Sequence, residues 1–546
     1  MTIHSTLNAS IWESELQDDP DKSFLLDGIA NGFNIVDDNV NPLPADCENY
    51  LSATDPSVKS VVEKQIRLEF ENGNYEIVNK RPVIVSALGA IPKQNSDEVR
   101  LIHDCSRPIG TSLNNLASKY SVKYQTVEEA VNLSSPGCYY VKIDLKSAYR
   151  SVNIHPDNYN LTGLKWVFEG DDHPTYFIDK RLPFGARKSP AIFHRLTQAV
   201  RRMMSRKGFP NIVVYLDDFL IVEQTKERCL TAMNILITLL RSLGFSINWA
   251  KVTDPCNNLV FLGIELNSIN NTLTLPETKL KETLSLLEWF RGRARASKKQ
   301  LQRLAGKLNW ACRVIRGGRS YLRRVLDLLN SIKLPFQKAK LGHEFCADIE
   351  WWLKFMTMFN GVNMQKMGGT HTVHIDACNK AAGIAFNGDW LYVNWELDWP
   401  EAASLHINYK EVLSFVLAAR RWGHLWSNTS VPVLTDSECA KYILRKGSTK
   451  NPLVMKYLRE LFWISAIYNF EFYPDFICGQ DNLLPDTISR LHENGKFTML
   501  ESLLYQYFNT SIFPGNLRYH MSYKSLSFLI LQITAWVYPK LYWIGT

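Results

Sequence analysis

The chain has 546 residues, 46% of them hydrophobic, and 62 Lys and Arg against 54 Asp and Glu, a formal net charge of +8. That is enough apolar material for several buried cores, and the modest basic excess is compatible with nucleic acid without pointing to it. Ten cysteines without a CxxC pair or regular spacing exclude a disulfide framework or a spaced zinc site and fit a reducing intracellular compartment, nucleus and cytoplasm alike.

Charge is unevenly distributed. The first 60 residues hold eleven acids and only Lys22 and Lys59, a net of −9, so the remainder carries +17. The start to about residue 55 lacks the basic opening and apolar core of a signal peptide. It reads as an acidic, partly disordered segment in which FLLDGIANGFNIV is apolar enough to dock on the body. Residues 56–80 read as a helix running into a strand. Residues 139–150, YYVKIDLKSAYR, place Asp144 at the end of an apolar, β-branched run, before a turn into helix.

Residues 211–222, NIVVYLDDFLIV, are two β-type runs meeting at Asp217 and Asp218. Asp-Asp is ordinarily a solvated turn, but hairpin tips favour Asn-Gly or Asp-Gly, and no glycine is present. An acid pair on a hydrophobic base is costly unless a cation neutralises it, so the pattern predicts a hairpin tip that holds divalent metal, with Asp144 as third ligand.

Residues 291–324 contain twelve Lys or Arg and no acid, among them Arg291, Arg293, Arg295, Lys298, Lys299, Arg303 and Lys307. Leu301, Leu304, Ala305 and Leu308 recur at helical spacing, which predicts a packed apolar face and a basic face left for phosphates. After Trp351 and Trp352 comes a strand, helix, strand, helix series: THTVHIDAC (370–378), HINYKEVLSFVLAARRW (406–422), VPVLTDSECAKYIL (431–444) and GQDNLLPDTISRL (479–491). Each presents an acid, Asp376, Glu411, Asp436 and Asp486, and four such acids resemble a second two-metal site. Near the end, LSFLILQITAWVY (526–538) is strongly apolar but short for a membrane span and is interrupted by Gln532, so it reads as a packed helix or a truncated remnant, with a membrane segment as the alternative.

In order, these segments resemble the reverse transcriptases. Asp144 falls in that family's first motif and YLDD in its third. RLPFGARKSPAIFHRL (181–196) resembles the second, and LGFSINWAKV (243–252) and FLGIEL (261–266) the fourth and fifth. Upstream, IPK (91–93) and VRLIHD (99–104) resemble the fingers. The resemblance implies that Lys93 and Arg100 hold the incoming triphosphate, that Tyr149 lies under the sugar and rejects a 2′-hydroxyl, that Phe184 and Gly185 line the nucleotide pocket, and that Lys251 protonates pyrophosphate. The later series resembles a ribonuclease H domain, with Asp376, Glu411, Asp436 and Asp486 in its catalytic positions. It departs from that family in lacking a histidine before the last acid, where the segment reads YPDFICGQDN.

The fold class implied is a multidomain α+β and α/β protein, a right-hand polymerase of fingers, palm and thumb followed by a ribonuclease H-like domain with a mixed sheet flanked by helices. Expected boundaries are 1–55 for the acidic segment, 56–270 for fingers and palm, 271–335 for thumb, 336–368 for connection, 369–495 for the ribonuclease H-like domain and 496–546 for a tail of unassigned role. Implied cofactors are two Mg2+ or Mn2+ ions per active site. Implied partners are RNA template, DNA primer, RNA–DNA hybrid and deoxynucleoside triphosphates, without a membrane. GKLNWACRVIRGGRSYLRRVL after the palm motifs and HIN before Glu411 most resemble retrotransposons of the DIRS type, whose recombinase and structural proteins would be further partners. The expected activity is RNA-directed DNA polymerisation with RNase H cleavage. The alternative is a decayed or co-opted copy that binds hybrids without turnover.

Overall fold

The computed structural model describes residues 6–92, 98–334, 336–365, 371–496, 498–500 and 502–503; Lys93 and the apolar stretch 526–538 lie outside them. The chain divides after Asn271 into two compact units. Among the described residues no helix is long and apolar enough to cross a membrane.

The first unit opens with helices α1 (Ala9–Leu16) and α2 (Lys22–Asn31), followed by α3 (Pro56–Glu71) and strand β1 (Tyr75–Val78). A hairpin of β2 (Ala87–Pro92) and β3 (Val99–Asp104) comes next, then β4 (Tyr139–Asp144), β5 (Gly163–Trp166) and β6 (Thr175–Asp179). Helix α4 (Ser189–Arg206) precedes the hairpin β7 (Ile212–Tyr215) and β8 (Asp218–Glu223), and α5 (Lys226–Ser242) follows it. Strands β4, β8 and β7 form an antiparallel sheet with β8 in the centre. Its register sets Asp218 opposite both Asp144 and Tyr215, Phe219 opposite Ile143, and Ile221 opposite Val141. Because side chains alternate along a strand, Val141, Ile143, Phe219 and Ile221 share the face packed by α4 and α5, through Phe193, Leu196, Leu236 and Leu240. Asp144 and Asp218 therefore share the other face.

The acidic start is more ordered than its composition predicts. Trp12 and Leu16 are fully buried in the same core as the central sheet, and the Trp12 indole donates to the Leu243 carbonyl at 3.0 Å. Its acids face basic residues on and just after α4: Arg202 reaches Asp19 at 2.7 Å, Arg195 reaches Asp21 at 2.6 Å and Lys207 reaches Glu15 at 2.8 Å. The negative charge that suggested disorder is one half of a complementary interface. The apolar stretch within the segment does dock, burying Leu25, Ile29 and Phe33.

The second unit begins with α6 (Glu277–Phe290), α7 (Lys298–Ala311), α8 (Gly318–Ser331) and α9 (His343–Met358). A five-stranded sheet follows, built from β9 (Val373–Ala377), β10 (Ala381–Phe386), β11 (Asp389–Asn394), and then, after α10 (Ile407–Trp422), β12 (Ser430–Thr435). Helices α11 (Glu438–Lys446) and α12 (Pro452–Ile467), strand β13 (Glu471–Phe476) and helix α13 (Leu483–Ser489) complete it. The strand order is β11-β10-β9-β12-β13, antiparallel among the first three and parallel thereafter. Alternation along β10 sends Ile384 and Phe386 into the core shared with α10 and α12, and Ala385 to the opposite face, against Leu484 and Ile488 of α13. This is the mixed sheet with flanking helices that the sequence predicts.

Candidate active sites

In the first unit the acids sit where the sheet ends. Tyr215 pairs with Asp218, so the hairpin turn is Leu216-Asp217 and Asp218 is already in the strand. The turn needs a left-handed residue, and Leu216 supplies it at φ +53° without the glycine that such turns favour. Asp144 is 4% exposed. Asn248 donates to its Oδ1 at 2.8 Å, and the Lys251 ammonium lies 3.0 Å from its Oδ2. Lys142, two residues earlier on the same strand face, reaches Asp218 at 3.0 Å. The backbone ties the parts together: Leu145 N–H donates to the Asp217 carbonyl and Asn248 N–H to that of Asp144. Burial, then the Asp218 and Asp144 charges, push the Asp217 carboxyl above the usual range. Asp218 is also raised by burial, against the pull of Lys142. Both acids would ionise more readily beside a divalent cation, and the three carboxylates offer the hard oxygen donors that Mg2+ takes.

Next to them, Tyr149 is 9% exposed on a short 3-10 turn, its ring stacked on Phe184 at 5.0 Å and 17° and tilted against Phe193. Arg100 lies 5.9 Å over the Phe184 ring. Gly185 adopts φ +132°, and a Cβ there would lie 2.1 Å from the His103 carbonyl oxygen, so no other residue fits. Arg100, Tyr149, Phe184 and Gly185 are thus brought together, and Lys251 stands on the Asp144 carboxylate. Lys142 and Asn248 were missed by sequence reasoning. The i, i+2 spacing from Asp144 gives Lys142 away, whereas Asn248 has no local signal.

The basic stretch after residue 290 is less free than its sequence suggests. Leu301, Leu304, Ala305 and Leu308 are buried as their spacing predicts. Acids from neighbouring helices, however, pair with Arg291 (Glu350, 2.7 Å) and Lys307 (Glu282, 2.7 Å). Arg293 stacks on Trp289 at 3.6 Å, and Arg295 lies in a two-stranded ladder opposite Lys340. Lys298 and Lys299 open α7, and Arg303 and Lys307 line a cleft of about 800 Å³ with Lys281 and Trp289.

The second unit gathers Asp376 from β9, Glu411 from α10 and Asp436 from the end of β12. Ligand oxygens of these three lie within 4.8 Å of one another. Glu411 accepts from the Ala377 N–H at 2.9 Å and from the Thr435 hydroxyl at 3.3 Å, which fixes it against both strands. The Asp376 Oδ2 atom is buried and accepts no hydrogen bond. Burial, with the Asp436 and Asp486 charges, pushes Asp376 up to about 6, partly offset by the Ser489 hydroxyl. Glu411 is raised well above the carboxylate range by burial and then by Asp376, and Asp436 is raised by burial and Asp486. An orphaned buried oxygen among three mutually repelling carboxylates fits a divalent cation. Asp486 is not one of that trio; its Oδ1 accepts from Arg490 Nε at 2.7 Å. A Cβ at Gly383, the register partner of Asp376, would lie 2.0 Å from the Pro485 carbonyl oxygen, so this glycine admits α13 and with it Asp486. That requirement was not legible in the sequence.

Residues 91–266 match the reverse transcriptase (RNA-dependent DNA polymerase) family. The chain is 23% identical over 483 residues to the putative enzymatic polyprotein of cassava vein mosaic virus, covering 80% of this chain and 65% of that one. It is 23% identical to protein P of a duck hepatitis B virus, over 45% of this chain and 30% of that protein. It is also 22% identical to the genome polyprotein of petunia vein clearing virus, over 64% and 15%. The chain thus spans less than two thirds of these relatives. Among solved structures it is similar to foamy viral protease-reverse transcriptase in complex with double-stranded DNA (TM-score 0.52, 17% identity, 86% of this chain and 82% of that one). The same protein in complex with RNA/DNA hybrid gives a TM-score of 0.53 at 15% identity, over 86% and 63%. The fold is therefore shared with foamy viral protease-reverse transcriptase, and residues 91–266 are a reverse transcriptase domain.

Proposed function

We propose that this chain is an RNA-directed DNA polymerase that extends a primer on an RNA template and, through its second centre, cleaves the RNA strand of the resulting hybrid. The observation that carries the first half is the convergence of Asp144, Asp217 and Asp218 at one sheet end inside the matched domain. Foamy viral protease-reverse transcriptase has been solved with double-stranded DNA and with RNA/DNA hybrid, which supports the same substrates here.

In this reading Asp144, Asp217 and Asp218 would hold two divalent ions, Mg2+ or Mn2+. When bound, these lower the pKa of the primer 3′-hydroxyl and stabilise charge on the leaving pyrophosphate. The remaining work belongs to the chain. Asn248 fixes the Asp144 carboxylate, and the sheet register fixes Asp218 opposite it. Tyr149, packed between Phe184 and Phe193, presents a rigid ring that excludes a ribose 2′-hydroxyl. Arg100 and Lys93 would meet the triphosphate, and Lys251 would carry a proton to pyrophosphate. Helix α7, with the residues flanking it, would meet primer–template phosphates through Lys298, Lys299 and Arg303 and more weakly through the paired Arg291 and Lys307. The proposed layout is fingers and palm over 56–270, thumb over 271–335, connection over 336–368 and RNase H over 369–495.

In the second centre Asp376, Glu411, Asp436 and Asp486 would hold ions that activate water toward the RNA phosphodiester. The strand order, the three converged carboxylates and the buried Asp376 oxygen support it. The DIRS-type origin rests on the sequence segments named above. Purified chain given a primed RNA template, deoxynucleotides and Mg2+ should extend the primer and release RNA fragments from a labelled hybrid. Binding without either product would make it a hybrid-binding protein instead.

A further inference from the structure

Arg490 stands at the second centre without a task in the proposed chemistry. It stands four residues after Asp486, on the same helix face, where its Nε donates to Asp486 Oδ1 at 2.7 Å. Its backbone N–H closes α13 by donating to the Asp486 and Thr487 carbonyls, so the side chain is anchored at the edge of the site, with 43% of it exposed. The guanidinium charge acts on Asp376 and Asp436 as well as on Asp486. Yet the carboxylates that converge within 4.8 Å are Asp376, Glu411 and Asp436, and Asp486 is outside that trio.

Resting on the reading of this centre as a divalent-metal site, we propose that Arg490 is a positioning residue that holds Asp486 outside the trio, so that a second cation binds only by drawing Asp486 off the guanidinium. One ion position is preformed by three acids. The other must break a charge-assisted hydrogen bond and meets the guanidinium as a like charge. The second position is therefore weaker than the first and is set by a side chain of the protein rather than by its ligands alone.

The test is Mn2+ binding followed by electron paramagnetic resonance on the full chain carrying Asp217→Asn and Asp218→Asn, which silences the first centre. Two classes of bound ion are expected. Arg490→Gln should tighten the weaker class about 3- to 10-fold, the loss of one partly exposed charged contact. Arg490→Lys, which keeps the charge, should stay near the parent, and Asp486→Asn should abolish the weaker class. Two classes with no change in Arg490→Gln would overturn the inference while leaving the metal centre standing. No retained Mn2+ in the parent would overturn the metal-centre reading, and the inference with it. Thermal melting of each variant shows whether the fold is kept.

Discussion

The two acidic centres solve one electrostatic problem in different ways. In the first unit the acids are met by lysines: Lys142, on the same strand as Asp144, reaches Asp218, and Lys251, from a short 3-10 turn, reaches Asp144. In the second, three acids converge from two strands and a helix without an ion pair to any of them among the described residues, and Arg490 pairs with the fourth, Asp486. The contrast teaches that the first centre is close to neutral before any metal arrives, whereas the second stores repulsion that only protons or metal relieve. Burial first, and the neighbouring acids after it, raise Asp376 to about 6 and Glu411 well above the carboxylate range.

The largest effects should come from the acids themselves. Asp217→Asn and Glu411→Gln should each lower their own reaction at least about 10³-fold, extension for one and hybrid cleavage for the other, leaving the other reaction within a few-fold. Joint loss in a single variant would break the separation of the centres. Tyr149→Val should admit ribonucleotides, improving their use relative to deoxynucleotides by about 10- to 100-fold in single-nucleotide incorporation. Unchanged selectivity would remove Tyr149 from the nucleotide pocket.

A smaller effect separates the centres by stability. A carboxyl whose folded pKa is raised contributes stability that is complete below its unfolded pKa, near 3.8, and is lost as pH rises through the folded value, about 6 for Asp376. Metal-free Asp376→Asn should therefore melt with the parent near pH 4 and above it at pH 7, by on the order of 2 kcal/mol. Mn2+ should stabilise the parent more than the variant. Asp144→Asn should show no such gain, because it removes the partner of Lys251 and Asn248. The smallest effect is expected at Lys307→Ala. Its partner Glu282 already neutralises it, so the salt dependence of primer–template binding should flatten less than for Lys298→Ala, each read as the slope of log affinity against log salt.

Strands and helices that carry acids are legible in the sequence because local rules act on them. Apolar strand-like runs end at Asp144, Asp376 and Asp436, and α7 buries the leucines its spacing picks out. What escaped was set by distant partners. Asp19 meets Arg202 across 183 residues of sequence, so an acidic start read as partly disordered is folded onto α4. The acids that pair with Arg291 and Lys307 come from other helices, so an acid-free run in sequence is not acid-free in space. Leu216 takes a left-handed conformation that turn statistics assign to glycine or asparagine, held there because strand pairing fixes Tyr215 and Asp218 on either side of the turn. Arg490, four residues from Asp486, was within reach of the i, i+4 rule.

Primer extension tests the central claim most directly. With a DNA primer on an RNA template, deoxynucleotides and Mg2+, the wild-type chain should elongate the primer, and Asp217→Asn, folded to the same melting temperature or above, should not. Equal extension by both, or none by the wild type under conditions where it binds the primed template, would contradict the account.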